Sequence, residues 1–114
     1  MSKKAINEPR LNVLPLKRRP HDFLALVREL SADSKNVKWS RHARDRFGQR
    51  DITNRMALDV LRMGQIRGDI VAGKNVGEWK AKIVFPIPGR REVGVVTVVE
   101  KESRIFVKTV EWED

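Results

Sequence analysis

The sequence predicts an α+β fold, with N-terminal helices packed on one face of a four-stranded, mostly antiparallel sheet. Three observations carry this prediction. Up to Gly64 the apolar residues recur at helical spacing, and from Ile66 onward they alternate with polar ones as strands require. The helical and extended segments follow one another as blocks, which favours an α+β over an α/β architecture. The chain has 114 residues and is 40% hydrophobic, enough for one domain with a single modest core.

Residues 1–20 read as a basic, flexible arm, because Pro9, Pro15 and Pro20 interrupt any helix there. The domain itself is expected over residues 21–114. Phe23, Leu24, Val27 and Leu30 define a helix over residues 21–33, and SADSKN reads as a loop. Ser40 can cap a short helix over residues 41–47, with Gly48 ending it. Asp51 or Thr53 can cap the next, about residues 54–63. Ile52, Met56, Ala57, Val60 and Leu61 give it one apolar face, and Gly64 stops it. Residues 66–71 suit a short strand. WKAKIVF alternates in the manner of a strand with one wetter face, and the turn PIPGRR follows. EVGVVTVVE is apolar enough for a central strand covered on both faces. After EKES turns the chain, RIFVKTVEW alternates again.

The formal charge is +9, and its placement says more than its size. Residues 1–20 and residues 35–50 each hold six Lys or Arg against one acid, while residues 51–114 are nearly balanced. Two concentrated basic blocks point either to a polyanion partner or to simple solubility. No apolar run approaches the roughly 18 residues of a membrane span. The opening MSKKAINEPRLNV lacks the apolar centre of a secretory signal. With no cysteine present, a cytoplasmic location away from membranes is expected.

Within the second basic block lies WSRHARDRFGQR, residues 39–50. On a helix His42 and Arg46 stand one turn apart, and Arg50 extends the stripe if the helix lasts that long. Ala43 and Phe47 form the neighbouring apolar stripe and should face the sheet. His42 and Arg46 then lie at the boundary of core and solvent, where side chains line clefts.

These residues, with Ile52, the helix ending in LRMGQI, a tryptophan strand, the RREVGVV strand and the closing KTVEW strand, resemble a family of small bacterial domains of unknown function. The family is RelE-like, within the barnase–EndoU–colicin–RelE ribonuclease fold. The resemblance covers about residues 37–112 and leaves out the arm and the first helix. It implies a four-stranded antiparallel sheet with helices on one side. It also implies a metal-independent endoribonuclease, of the kind found in toxin–antitoxin modules and mobile elements.

Such cleavage uses the ribose 2′-hydroxyl to attack the adjacent phosphate. It needs proton transfer and cations that stabilise the charge gathering on phosphorus. Histidine suits proton transfer because its unperturbed pKa lies near ~6.5. Arginine suits phosphate because its planar fork stays charged and binds two oxygens. His42 and Arg46 are thus the catalytic candidates, and Arg50, Arg90, Arg91, Lys108 and Thr109 are candidates for holding substrate. RNA, on or off the ribosome, is the expected partner, and a toxin would also need a neutralising acidic antitoxin. There is no second histidine to pair with His42 in this region and no tyrosine; Glu78 or Glu92 is open as its partner.

Plainer readings stand beside these. His42 can be a boundary histidine bonded to a backbone carbonyl. Arg46 and Arg50 can pair with Asp45, Asp51 or a C-terminal acid, and Arg90 and Arg91 can be solvated turn residues. Trp39, Trp79 and Trp112 suit core or edge packing as well as base stacking. His21 suits a structural place at a helix start. Two distant histidines without cysteine make a poor zinc set, and no glycine-rich loop with lysine offers a phosphate cradle, so neither metal nor cofactor is expected. Two other functions stay open: a nucleic-acid-binding module without catalysis, and a mobile-element protein that binds and inhibits another protein.

Overall fold

The structure is a computed structural model and describes residues 19–113. The arm expected over residues 1–20 lies outside the described residues, apart from Arg19 and Pro20. Along the chain run α1 (Pro20–Ser31), a 3-10 turn (Ser34–Asn36), β1 (Val37–Trp39), α2 (Arg41–Arg50), α3 (Asn54–Met63), β2 (Gln65–Ala72), β3 (Glu78–Pro86), β4 (Glu92–Glu100) and β5 (Arg104–Trp112).

Each helix begins where the sequence chemistry places it. Pro20 opens α1, where a missing N–H costs nothing, and Asp22 sits in the first turn beside the positive end of the helix dipole. The Ser40 hydroxyl accepts from the Ala43 N–H at 2.9 Å and caps α2. Thr53, rather than Asp51, caps α3 through the Met56 N–H at 3.0 Å. The expected end of α2 at Gly48 is corrected. The helix continues to Arg50, and Asp51 ends it in the left-handed conformation, φ 56° and ψ 43°. A lone glycine in a helix costs only about 1 kcal/mol relative to alanine, and Asp is among the few residues that tolerate the left-handed cap.

The class is α+β as expected, but the sheet has five strands among the described residues, not four. Their order is β1-β5-β4-β3-β2. β1 pairs parallel with β5, Val37 opposite Ile105, and the remaining pairs form an antiparallel meander. Three residues are too few to show an alternating pattern, and the strand exists through pairing with residues 68 positions away.

The core lies on one sheet face. Phe23, Val27, Ala43, Ala57, Val60 and Leu61 from the helices pack on Ile83, Val93, Val95, Val99, Ile105, Val107 and Val110. Two arginines lock α1 to α3. Arg28 donates to the carbonyls of Arg62 and Gly64 at 3.1 and 2.7 Å, and Arg62 donates to the Ser31 carbonyl at 2.8 Å. Each satisfies carbonyls that the other helix leaves open at its C-terminal end.

The second face carries no helix among the described residues. By register it presents Lys80, Lys82, Val96, Val98, Phe106 and Thr109. β4 was expected to be covered on both faces. Val98 is indeed buried, but by its position between Lys80 and Phe106 on neighbouring strands, whose long side chains shield apolar neighbours.

Candidate nucleic-acid interface

β1 stops at Trp39, and α2 takes its place along the edge of β5. The Ser40 N–H donates to the Val107 carbonyl at 2.9 Å and its hydroxyl to the Lys108 carbonyl at 2.7 Å. Ala43 is buried, and Phe47 meets the Trp39 ring edge-on, the ring centres 5.4 Å apart. With that stripe turned inward, His42 is exposed and Arg46 half-buried. The two converge: Arg46 Nε donates to His42 Nε2 at 3.3 Å. In this arrangement Nε2 is the unprotonated nitrogen of the imidazole. A hydrogen bond from Lys82 holds the Glu111 carboxyl below its ordinary range, and the Arg46 charge adds a smaller push the same way.

A second basic group forms at the other end of α2. The Arg50 carbonyl accepts from Trp112 Nε1 at 2.5 Å. Arg90 Cζ lies 4.4 Å from the centre of the Trp112 ring and Arg91 Cζ 5.9 Å, both within cation–π range. Arg90 also reaches Asp51 at 3.3 Å. Gly89, Arg90, Arg91 and Trp112 line a shallow cavity there. At 1.5 Å per residue, this corner begins about 12 Å along the helix from His42.

The candidate residues therefore occupy three places. His42 and Arg46 form a pair on the rim, and Arg90 and Arg91 gather on Trp112, which Arg50 meets through its backbone carbonyl. Thr109 and Lys108 belong to the open sheet face. Thr109 stands opposite Val96, in line with Lys82. The ladder shifts register beside it, and Lys108 lines a groove with Lys80 and Phe106.

Neither proposed carboxylate partner serves His42. Glu78 accepts from the Asn75 side-chain amide at 3.0 Å and backbone N–H at 3.1 Å, and these bonds lower its pKa. Glu92 pairs with Arg67 at 2.9 Å. Asp51 pairs with Arg90 rather than with Arg46 or Arg50. Trp79 is buried in the core and Trp39 packs on Phe47, while Trp112 carries Arg90 and Arg91 on its ring.

The residues missed from sequence form a charge network across the open face. Lys82 Nζ lies 2.9 Å from Glu111 and 3.0 Å from Glu113, and Arg67 reaches Glu92 and Glu113. Hydrogen bonds that Lys82 donates to Glu111 and then Glu113 raise its pKa, and the first of these bonds lowers that of Glu111. Gly94 makes the network possible, since a Cβ there would sit 2.5 Å from Glu113 Oε2. A glycine inside a valine-rich strand is the one sequence signal of such a close approach, and it was not read.

Fold and site together define an α+β protein whose sheet rim bears a histidine–arginine pair and an arginine–tryptophan corner. Comparison with family models, curated proteins and solved structures finds no match. Among the described residues no helix is long and apolar enough to cross a membrane.

Proposed function

We propose that the chain is a RelE-like endoribonuclease that cleaves RNA without a metal, by attack of the ribose 2′-hydroxyl on the adjacent phosphorus. The observation that carries this reading is the convergence of exposed His42 and half-buried Arg46 on the rim, with a lone pair on Nε2. Arg46 turns to the phosphate when RNA binds and frees that lone pair. Nε2 takes the 2′-proton while the 2′-oxygen bonds to phosphorus. The bond to the 5′-oxygen then breaks, that oxygen takes a proton from water, and a 2′,3′-cyclic phosphate remains. Arg50, Arg90 and Arg91 bind the phosphates that continue along the strand. In a cell this activity would act as a toxin restrained by an acidic partner protein. Brief induction should degrade RNA and arrest growth, and His42→Ala or Arg46→Gln should restore both while staying folded. Intact RNA on induction of the natural chain, or undiminished toxicity of both folded variants, would overturn the reading.

A second reading is RNA binding without cleavage. It is favoured by the absence, among the described residues, of a carboxylate that orients His42. It expects binding that weakens steeply with salt while the RNA stays whole.

A further inference from the structure

The open face of the sheet carries a feature that cleavage does not use. One row crosses four strands in register: Lys80 on β3, Val98 on β4, Phe106 on β5 and Lys38 on β1. Neighbouring strands lie about 4.8 Å apart, so the two lysines stand roughly 14 Å from each other with the aromatic ring between them. Lys108 follows on β5. Phe106, Val98, Lys74, Lys80 and Lys108 help to line a groove of about 500 Å³.

The charges in that groove are unequally engaged. Glu78 is held by Asn75, and Glu100 by Arg104 at 2.7 Å. Lys108 feels Glu78 only at a distance. Among the described residues the Lys38 and Lys80 side chains have no ion-pair or hydrogen-bond partner. Phe106 is half-buried and keeps part of its ring in the groove.

We infer that this strip binds single-stranded RNA by stacking a base on Phe106, with the backbone phosphates on Lys38, Lys80 and Lys108. The inference rests on the RNA reading above and adds a second contact surface to it. An aromatic platform between cations is the arrangement that reads unpaired bases, whose faces stack and whose phosphates attract. An acidic peptide would satisfy the lysines and leave the ring unmatched. A duplex keeps its bases stacked inside and cannot offer one to Phe106.

The test measures anisotropy of a labelled 2′-O-methyl oligonucleotide of about ten nucleotides, within the usual single-strand site size. This probe lacks the attacking hydroxyl, so binding is read apart from cleavage. Phe106→Leu and Phe106→Ala should weaken binding by about 5- to 150-fold, as loss of one stacked base implies, and Phe106→Trp should restore it. Thermal melting verifies that each variant is folded. An abasic oligonucleotide of equal length should bind the natural chain weakly and ignore the Phe106 changes. Lys38→Gln and Lys80→Gln should each reduce the salt dependence by somewhat less than one unit of slope. Equal affinity of the Phe106→Leu and natural proteins, or displacement of the probe by polyglutamate as readily as by unlabelled RNA, would overturn the inference. If cleavage of ordinary RNA still depends on His42 when the Phe106 changes are silent, the strip fails and the ribonuclease stands. If Phe106 governs binding of a chain that cleaves nothing, the strip stands and the chemistry fails.

Discussion

Gly94→Ala puts the open-face network to a quantitative test. The added methyl would meet Glu113 Oε2 at 2.5 Å and Cδ at 3.0 Å, and no other atom closer than 3.4 Å. The backbone at Gly94 is not in the left-handed region, so alanine brings no strain of its own. Glu113 must swing out, surrendering Lys82 at 3.0 Å and Arg67 at 3.7 Å. Its side chain is only 11% exposed, so these pairs sit at or above the upper end of the roughly 0.2–1 kcal/mol measured for solvent-exposed pairs. Lys82 keeps Glu111 and Arg67 keeps Glu92, which limits the loss to about 1–2 kcal/mol. Alanine in a strand returns about 0.5–1 kcal/mol over glycine. The net cost is about 1 kcal/mol, or roughly 4–8 °C in Tm for a domain of this size. In a Glu113→Ala background the obstruction is gone, and Gly94→Ala should stabilise by about 0.5 kcal/mol. Thermal or urea unfolding of the four proteins in the cycle checks this change of sign. An equal loss in both backgrounds would refute the reasoning.

Three further outcomes are expected. Gly48→Ala should raise stability by about 0.4–1 kcal/mol in urea unfolding, because the site is helical, exposed and open around the new methyl. Arg28→Ala should cost about 2–4 kcal/mol by the same measurement, since it removes two charged hydrogen bonds from part-buried carbonyls; Arg28→Lys should recover only part, because an ammonium cannot span both. Lys82 lowers the folded-state pKa of Glu111, so that carboxylate's contribution is present above the unfolded value, about 4.3, and is lost as pH falls through the folded one. The raised pKa of Lys82 places its matching loss at alkaline pH, above about 10.4. Melting curves between these limits should be flat in this contribution, and Glu111→Gln should flatten the acid limb.

Much of the fold was legible because long periodic segments report their own burial. Phe23, Val27 and Leu30 could only be one helix face, and the valines of β4 could only be a central strand. β1 was not legible, because a three-residue strand is made by its partner across the sheet. The end of α2 was misplaced because glycine at position 48 signals a stop only when the next residues refuse helix, and Gln49 and Arg50 do not. In the site, the turn spacing of His42 and Arg46 was readable from sequence, and the structure joins the two. The gathering of Arg90 and Arg91 on Trp112 was not, because it depends on how a turn and a strand end meet. Lys108 falls on the open face by alternation with Phe106, and a register shift beside it, which leaves no mark in composition, places Thr109 there too.

The central claim is that His42 carries a proton for RNA cleavage. The most direct measurement is the cleavage rate of a synthetic RNA by the purified chain in the presence of a chelator, beside His42→Ala. The account predicts fragments ending in a cyclic phosphate and a rate that falls by about 10²–10⁴ in the variant. RNA left whole by the natural chain, or fragments formed equally fast without the imidazole, would contradict it.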